Sequence, residues 1–373
     1  MTAGIAAKIA RRIRTEGPLS VAAYMAIALH DPEGGYYATR DPIGARGDFT
    51  TAPEISQIFG ELIGLWCADL WCRMGQPDPV MLAELGPGRG VLMSDALRAA
   101  GTVPDFRRAL RLYLVESSPT LRLEQKERLG KAEPDWVTQV NDLPDGPMLL
   151  IANEFLDALP IRQFVRGTRE WSERMVGLDA DGDLAFVDGT ENPASALLVP
   201  ASLRPSTPGT LVEICPAALA LAAGLGTRLR RQPGAALFID YGGSLSAPGP
   251  TLRAVSQHRP VGVLASPGTA DLSAHVDFAA FAETARLHGA KTYGPVVQGR
   301  FLVALGAERR LVALIARATP DQRNALEAGV ARLLDPGEMG ELFKAVALVS
   351  PDLPQPPGFE QDFPDCCESV PLG

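Results

Sequence analysis

The chain has 373 residues, 46% of them hydrophobic and 21% charged, with a formal net charge of −9. That content buries a large core, as one large domain with additions or as two domains, and excludes global disorder. The acidic balance argues against the basic face of a nucleic-acid binder, and no apolar run reaches the roughly 18 residues of a membrane span.

The first stretch, residues 1–78, reads as helix and loop and is expected to form an N-terminal helical region, serving as a lid or as part of the substrate site. Ile5, Ile9 and Ile13 recur every four residues and make one face of an amphipathic helix, although the Arg-rich start also has the texture of a transit peptide. Ser20 can cap VAAYMAIALH, which ends at the Gly/Pro-rich DPEGGYYATRDPIGARGDF. Thr51-Ala52-Pro53-Glu54 has the form of a capping box with proline in the first turn. It launches EISQIFGELIGLWCADLW, whose buried stripe is Ile55, Phe59, Leu62, Ile63 and Trp66.

From residue 79 to 306 the texture changes to short apolar runs alternating with helices. VMLAEL, RLYLVE, WVTQV and MLLIANEF read as strands, with GVLMSDALRAA and SPTLRLEQKERLG as helices between the first three. The expected class is α/β, a Rossmann-like parallel sheet covered on both faces. IRQFVRG and EWSERMVGLDADGDLAFVDG read as an antiparallel insertion near 161–210, followed by a helix and the strand AALFIDYG. HVDFAAFAETARLHG reads as a helix and GRFLVALG as a last strand. Residues 307–373 are expected to add one or two helices and a Pro-rich tail. The five cysteines, at 67, 72, 215, 366 and 367, show no metal-ligand spacing and suit a reducing compartment, so no metal is expected.

The turn Gly86-Pro87-Gly88-Arg89-Gly90 follows the first strand, at the edge where such sheets bind ligands. It lacks the Lys-Ser/Thr of a phosphate loop, and Val91 stands where a dinucleotide fingerprint has its third glycine. Pro87 removes a further donor. The second strand ends in Glu116, suited to ribose hydroxyls, and the third leads to Asp142 and Leu143, suited to an adenine amino group and ring face. With Glu84, Asn153 and the three glycines, these features describe a nucleoside without phosphates, and S-adenosylmethionine is the expected cofactor.

Specific blocks carry the reading further. DPEGGYY, GDFTTAPEISQIFGELIG, ELGPGRGVLMSDALR, LVESSPTLRLEQ, NEFLDALPIRQF, FIDYGG, HVDF and FLVALG lie between about residues 15 and 306. In these the chain resembles the MidA-like family of class I S-adenosylmethionine-dependent methyltransferases, which includes the mitochondrial respiratory complex I assembly methyltransferase. The resemblance implies a protein arginine methyltransferase, with a complex I subunit as its protein partner. It also implies a cytoplasmic setting in a bacterium, or the mitochondrial matrix in a eukaryote.

In class I methyltransferases the fourth strand end borders the methyl group and its acceptor. Here it reads Asn153-Glu154-Phe155-Leu156-Asp157. A guanidinium arrives fully charged, and a carboxylate fork can hold it and aim one nitrogen. Glu154 is the first candidate and Asp157 the second; Asp157 equally suits a helix cap. Asp240 closes the fifth strand, and His275 and Asp277 follow a glycine-containing loop. His275 can relay a proton; either residue can instead satisfy backbone groups at a helix start. His30, His258 and His288 have no companions in sequence. The helix start after GDFTT suits the methionyl carboxylate or serves only for packing. Two other readings stand beside arginine methylation: transfer to another acceptor, and a non-catalytic binding scaffold for assembly.

Overall fold

A computed structural model describes residues 4–39 and 51–360. Its central sheet uses β1 (Val80–Leu85), β2 (Leu110–Val115), β3 (Asp135–Val137), β4 (Met148–Asn153), β5 (Gly234–Gly243), β6 (Lys291–Val297) and β7 (Phe343–Val349). Their order is β6-β7-β5-β4-β1-β2-β3, and the short strand Val276–Asp277 extends the far end of β5. The pairs from β5 to β3 are parallel, whereas β7 runs antiparallel to both β5 and β6. The strand order reverses between β1 and β4, which opens a crevice beyond their carboxyl ends.

Helices cover both faces, which explains why the central strands are continuous apolar runs rather than alternating ones. The longer helices of the N-terminal region are α1 (Ile5–Glu16), α2 (Val21–His30) and α3 (Gln57–Arg73), and those that follow strands of the sheet or its insertion include α4 (Val91–Ala100), α5 (Pro119–Leu129), α6 (Pro216–Arg231) and α7 (Phe278–Leu287). Leu82, Leu149 and Leu237 face a core with Phe59 and Trp66 of α3 and Leu92 of α4. Met81, Ala83, Leu150 and Phe238 face the opposite core with Leu225 of α6 and Phe281 of α7. The contact between α3 and α4 is close because Gly64 lacks a side chain: a Cβ there would lie 2.4 Å from the Ala96 carbonyl oxygen.

The antiparallel insertion forms a separate sheet. Its strands are Arg162–Arg166, Trp171–Leu178, Leu184–Asp188 and Leu211–Ile214, with Leu19–Ser20 added from the N-terminus. Ile5, Ile9 and Ile13 of α1 are buried, as their spacing requires, in a core with α2, Val176 and Leu272. That core also takes a small three-stranded sheet (Arg253–Ser256, Arg259–Val261, Asp271–Ser273), which delivers Asp271 to the crevice.

Three local expectations are corrected. GRFLVALG is not a strand: α8 (Gln298–Ala304) occupies it, with Phe301 and Leu302 buried on one face. The last strand of the sheet is instead FKAVALV, within the segment expected to hold helices. A short apolar run suits either state, and pairing on both sides of β7 decides this one. Thr51 does not start one long helix either. A four-residue turn, Ala52–Ile55, stops at Ser56 in extended conformation (φ −153, ψ 129), and the Ser56 hydroxyl accepts the Ile58 amide of α3. Such a hydroxyl competes with helical backbone bonds and resets the helix start. The remainder of the GDFTT block and the end of the Pro-rich tail, including Cys366 and Cys367, lie outside the described residues.

Candidate active site

The turn after β1 carries three left-handed glycines: Gly86 (φ 58), Gly88 (φ 51) and Gly90 (φ 76). Side chains rarely tolerate these angles. At Gly86 space is also absent, since a Cβ would lie 2.9 Å from the Phe155 ring. The turn is held at both ends: Gly86 N–H donates to the Val115 carbonyl (3.1 Å) and Gly90 N–H to the Pro87 carbonyl (2.7 Å). Glu84, two residues before Gly86, is buried, and burial raises its pKa to about 8. Its Oε2 makes no hydrogen bond among the described residues.

Glu116 stands at the end of β2 beside the glycine turn. Its Oε1 accepts the Ser118 amide (2.8 Å) and its Oε2 accepts Gln125 Nε2 (3.3 Å). A carboxylate accepts about four bonds, so this one retains capacity toward the cavity that it lines. Burial raises its pKa, against the pull of those donors and of Arg122.

The other wall is the loop after β4. Glu154 adopts a left-handed φ of 50, a strained state for a residue with a side chain. Its Oε1 accepts Asn153 Nδ2 (3.0 Å) and the backbone amide of Ala52 (2.9 Å). The helix start considered for a ligand carboxylate therefore holds Glu154. Burial, then repulsion from Asp157, raises Glu154 to about 7, and burial raises Asp157 to about 6. Asn153 Oδ1 is buried without a partner among the described residues. Asp240 lies beneath this loop rather than in the cavity. Its Oδ2 accepts the amides of Phe155 (3.0 Å), Leu156 (2.7 Å) and Asp157 (3.3 Å). The side chain thus fixes the backbone that presents Glu154 and Asp157.

These walls enclose one cavity of about 610 Å³, a volume suited to a cofactor and one reacting group. Glu116, Glu154, Asp157 and Asp271 line it, and among the described residues no Lys or Arg does. Two aromatic residues that sequence reasoning passed over also line it. Tyr37 donates its hydroxyl to Asp271 Oδ1 (2.9 Å), and His30 stacks on Tyr37 with ring centroids 5.5 Å apart. The GGYY block pointed toward Tyr37; nothing near His30 or Asp271 in sequence marks them, since folding alone brings them together.

The other candidates lie elsewhere. His275 and Asp277 line a second, smaller cavity behind the loop. Asp277 caps α7 by accepting the Ala280 amide (2.9 Å), and its Oδ2 accepts the Ser246 hydroxyl (2.6 Å). His275 stacks edge-on with Tyr241 (4.2 Å), and its Nε2 has no partner among the described residues. Asp142 accepts the Gln139 amide (3.1 Å) in a capping box and does not line the large cavity. Leu143 is buried beside α6 and lines a third cavity.

Residues 62–296 match the model of a protein family described as "Putative S-adenosyl-L-methionine-dependent methyltransferase". The human mitochondrial protein arginine methyltransferase NDUFAF7 is 35% identical over 91% of this chain and 81% of its own length. Its Drosophila melanogaster homolog is 34% identical over 92% of this chain and 84% of its own. A crystal structure from Burkholderia thailandensis, bound to S-adenosyl-homocysteine, superposes with a TM-score of 0.80. It is 29% identical and covers 95% of this chain and 92% of that one.

Proposed function

Because the chain belongs to this family of S-adenosyl-L-methionine-dependent methyltransferases, we propose that it methylates arginine in a protein substrate. The single observation that carries the acceptor is the pair of carboxylates, Glu154 and Asp157, that line the cavity on the side away from the glycine turn. A guanidinium keeps its charge at any physiological pH and pairs with carboxylates bidentately. Relatives named as protein arginine methyltransferases support the same acceptor.

The residues present fit the cofactor. Gly86 and Gly88 line the cavity and let backbone approach a ligand closely, and Glu116 has acceptor capacity for two ribose hydroxyls. When bound, S-adenosylmethionine supplies an electrophilic methyl group. Glu154 and Asp157 are proposed to hold the guanidinium and aim one nitrogen at that methyl. Glu154 is suited to this because both of its bonds fall on Oε1, leaving Oε2 for the acceptor. The proton that the methylated nitrogen sheds passes to an ionised carboxylate oxygen of this pair. Asp240 acts through the loop backbone, and Asp271 with Tyr37 extends the anionic wall. No described helix is long and apolar enough to cross a membrane. The proposed partner is a subunit of respiratory complex I, met in the cytoplasm of a bacterial source or the matrix of a eukaryotic one.

The test is incubation with S-adenosylmethionine carrying a labelled methyl group and separately purified complex I subunits, with mass spectrometry of the product. Label on an arginine nitrogen supports the proposal. Label on another residue or a small molecule assigns a different acceptor, and cofactor binding without transfer to any protein favours a scaffold.

A further inference from the structure

Helix α5 carries a row of side chains spaced by three residues that reach back over the glycine turn and the end of β2. Arg122 Nε donates to the Glu116 carbonyl (2.9 Å), and Arg128 Nε donates to the Arg89 carbonyl (2.9 Å). Between them is Gln125, fully buried. Its Nε2 donates to the Gly88 carbonyl (2.7 Å) and to Glu116 Oε2 (3.3 Å), while its Oε1 accepts Trp136 Nε1 (2.8 Å).

These partners fix the amide. The Gly88 carbonyl accepts only and the indole N–H donates only, so a flipped amide would lose both bonds. Both amide protons are spent, one on the glycine turn and one on Glu116. A buried amide with every donor used is rigid, because releasing any partner leaves a polar group without water. We infer that Gln125 is a positioning residue for the cofactor. It fixes the orientation of the Gly88–Arg89 peptide and the rotamer of Glu116 together, so that turn and carboxylate meet the ligand at a set separation. The inference rests on the reading that this turn and Glu116 hold S-adenosylmethionine.

The role separates from plain packing because it acts through Glu116. Gln125→Met keeps an unbranched side chain of similar length but removes both donors; Gln125→Glu keeps the shape and replaces the donors with acceptors. Affinity for S-adenosylhomocysteine, measured by calorimetry on the full chain, is expected to fall at least tenfold in each. In a double-mutant cycle, Gln125→Met combined with Glu116→Gln should bind no more than about threefold more weakly than the worse single variant, because one pathway is cut twice. A folded Gln125 variant with wild-type affinity overturns the inference. So do losses that multiply fully in the double variant, and so does failure of both Gln125 variants to fold, since each assigns Gln125 to structure alone. Wild-type protein that binds no S-adenosylhomocysteine would instead remove the cofactor reading, a separate outcome visible before any variant is made.

Discussion

The two walls of the large cavity are built on different principles. On the proposed cofactor side, Gly86 to Gly90 and Glu116 sit at adjacent strand ends, and backbone and Gln125 hydrogen bonds hold them. On the proposed acceptor side, Glu154 holds a strained φ, its pKa and that of Asp157 are pushed up, and their loop rests on the buried carboxyl group of Asp240. The first wall is a preformed socket. The second sets two mutually repelling carboxyls, Glu154 and Asp157, on a strained loop, and a cationic ligand would relieve that repulsion.

If the walls are separable, damage to each should show in a different measurement. The largest effect belongs to Gly86→Val, which places a β-branched residue at φ 58 and a Cβ 2.9 Å from Phe155. Calorimetry should detect no S-adenosylhomocysteine binding while far-UV circular dichroism stays native; retained binding would take the turn out of the socket. Glu116→Ala comes next. Hydrogen bonds to a charged group are worth roughly 1.5–3 kcal/mol, so cofactor affinity should fall at least about tenfold. An unchanged affinity would leave Glu116 a capping residue of α5.

The acceptor wall predicts a pH signature of intermediate size. Only the ionised forms of Glu154 and Asp157 attract a guanidinium, and burial pushes them up to about 7 and about 6. Transfer kcat/KM should therefore rise severalfold as pH increases through that window, whereas cofactor affinity changes little. Stability runs the other way. A carboxyl whose pKa is raised on folding contributes stability below its unfolded value, and that contribution is lost as pH rises through the folded value. Glu154→Gln should thus raise the melting temperature above pH 7, and a melting temperature unmoved there would mean Glu154 is well solvated. The smallest effect is that of Asp277→Ala, which removes the α7 cap at a cost of about 1 kcal/mol. Denaturant unfolding should register that loss, with transfer near wild type; a large loss of transfer would return the small cavity to the mechanism.

The same contrast explains what could be read from sequence. The sheet and the glycine turn are legible because apolar runs, turns and strand-end acids are local features, and β1, β2 and β4 keep their expected places. The acceptor wall is only half legible. Glu154 and Asp157 follow a strand, but Ala52, Tyr37 and Asp271 reach them from distant segments. His275 and Asp277 show the converse: a motif near the right edge is turned into a second cavity by the extension of β5. Gln125 was hidden for another reason. A glutamine in a charged helix has no periodic signal, and only its burial against Trp136 and Gly88 distinguishes it. FKAVALV does not stand out as a strand in sequence because short apolar runs do not declare their secondary structure.

Glu154→Gln tests the division of labour most directly, because it keeps the side chain's shape and removes its charge. Cofactor affinity and methyl transfer to a confirmed arginine substrate should be measured on the same preparation. The account predicts S-adenosylhomocysteine affinity within about threefold of wild type and transfer lowered by about two orders of magnitude, the scale of losing one preorganised electrostatic group. Near-normal transfer would contradict it, as would parallel loss of binding and transfer, which would merge the two walls into one.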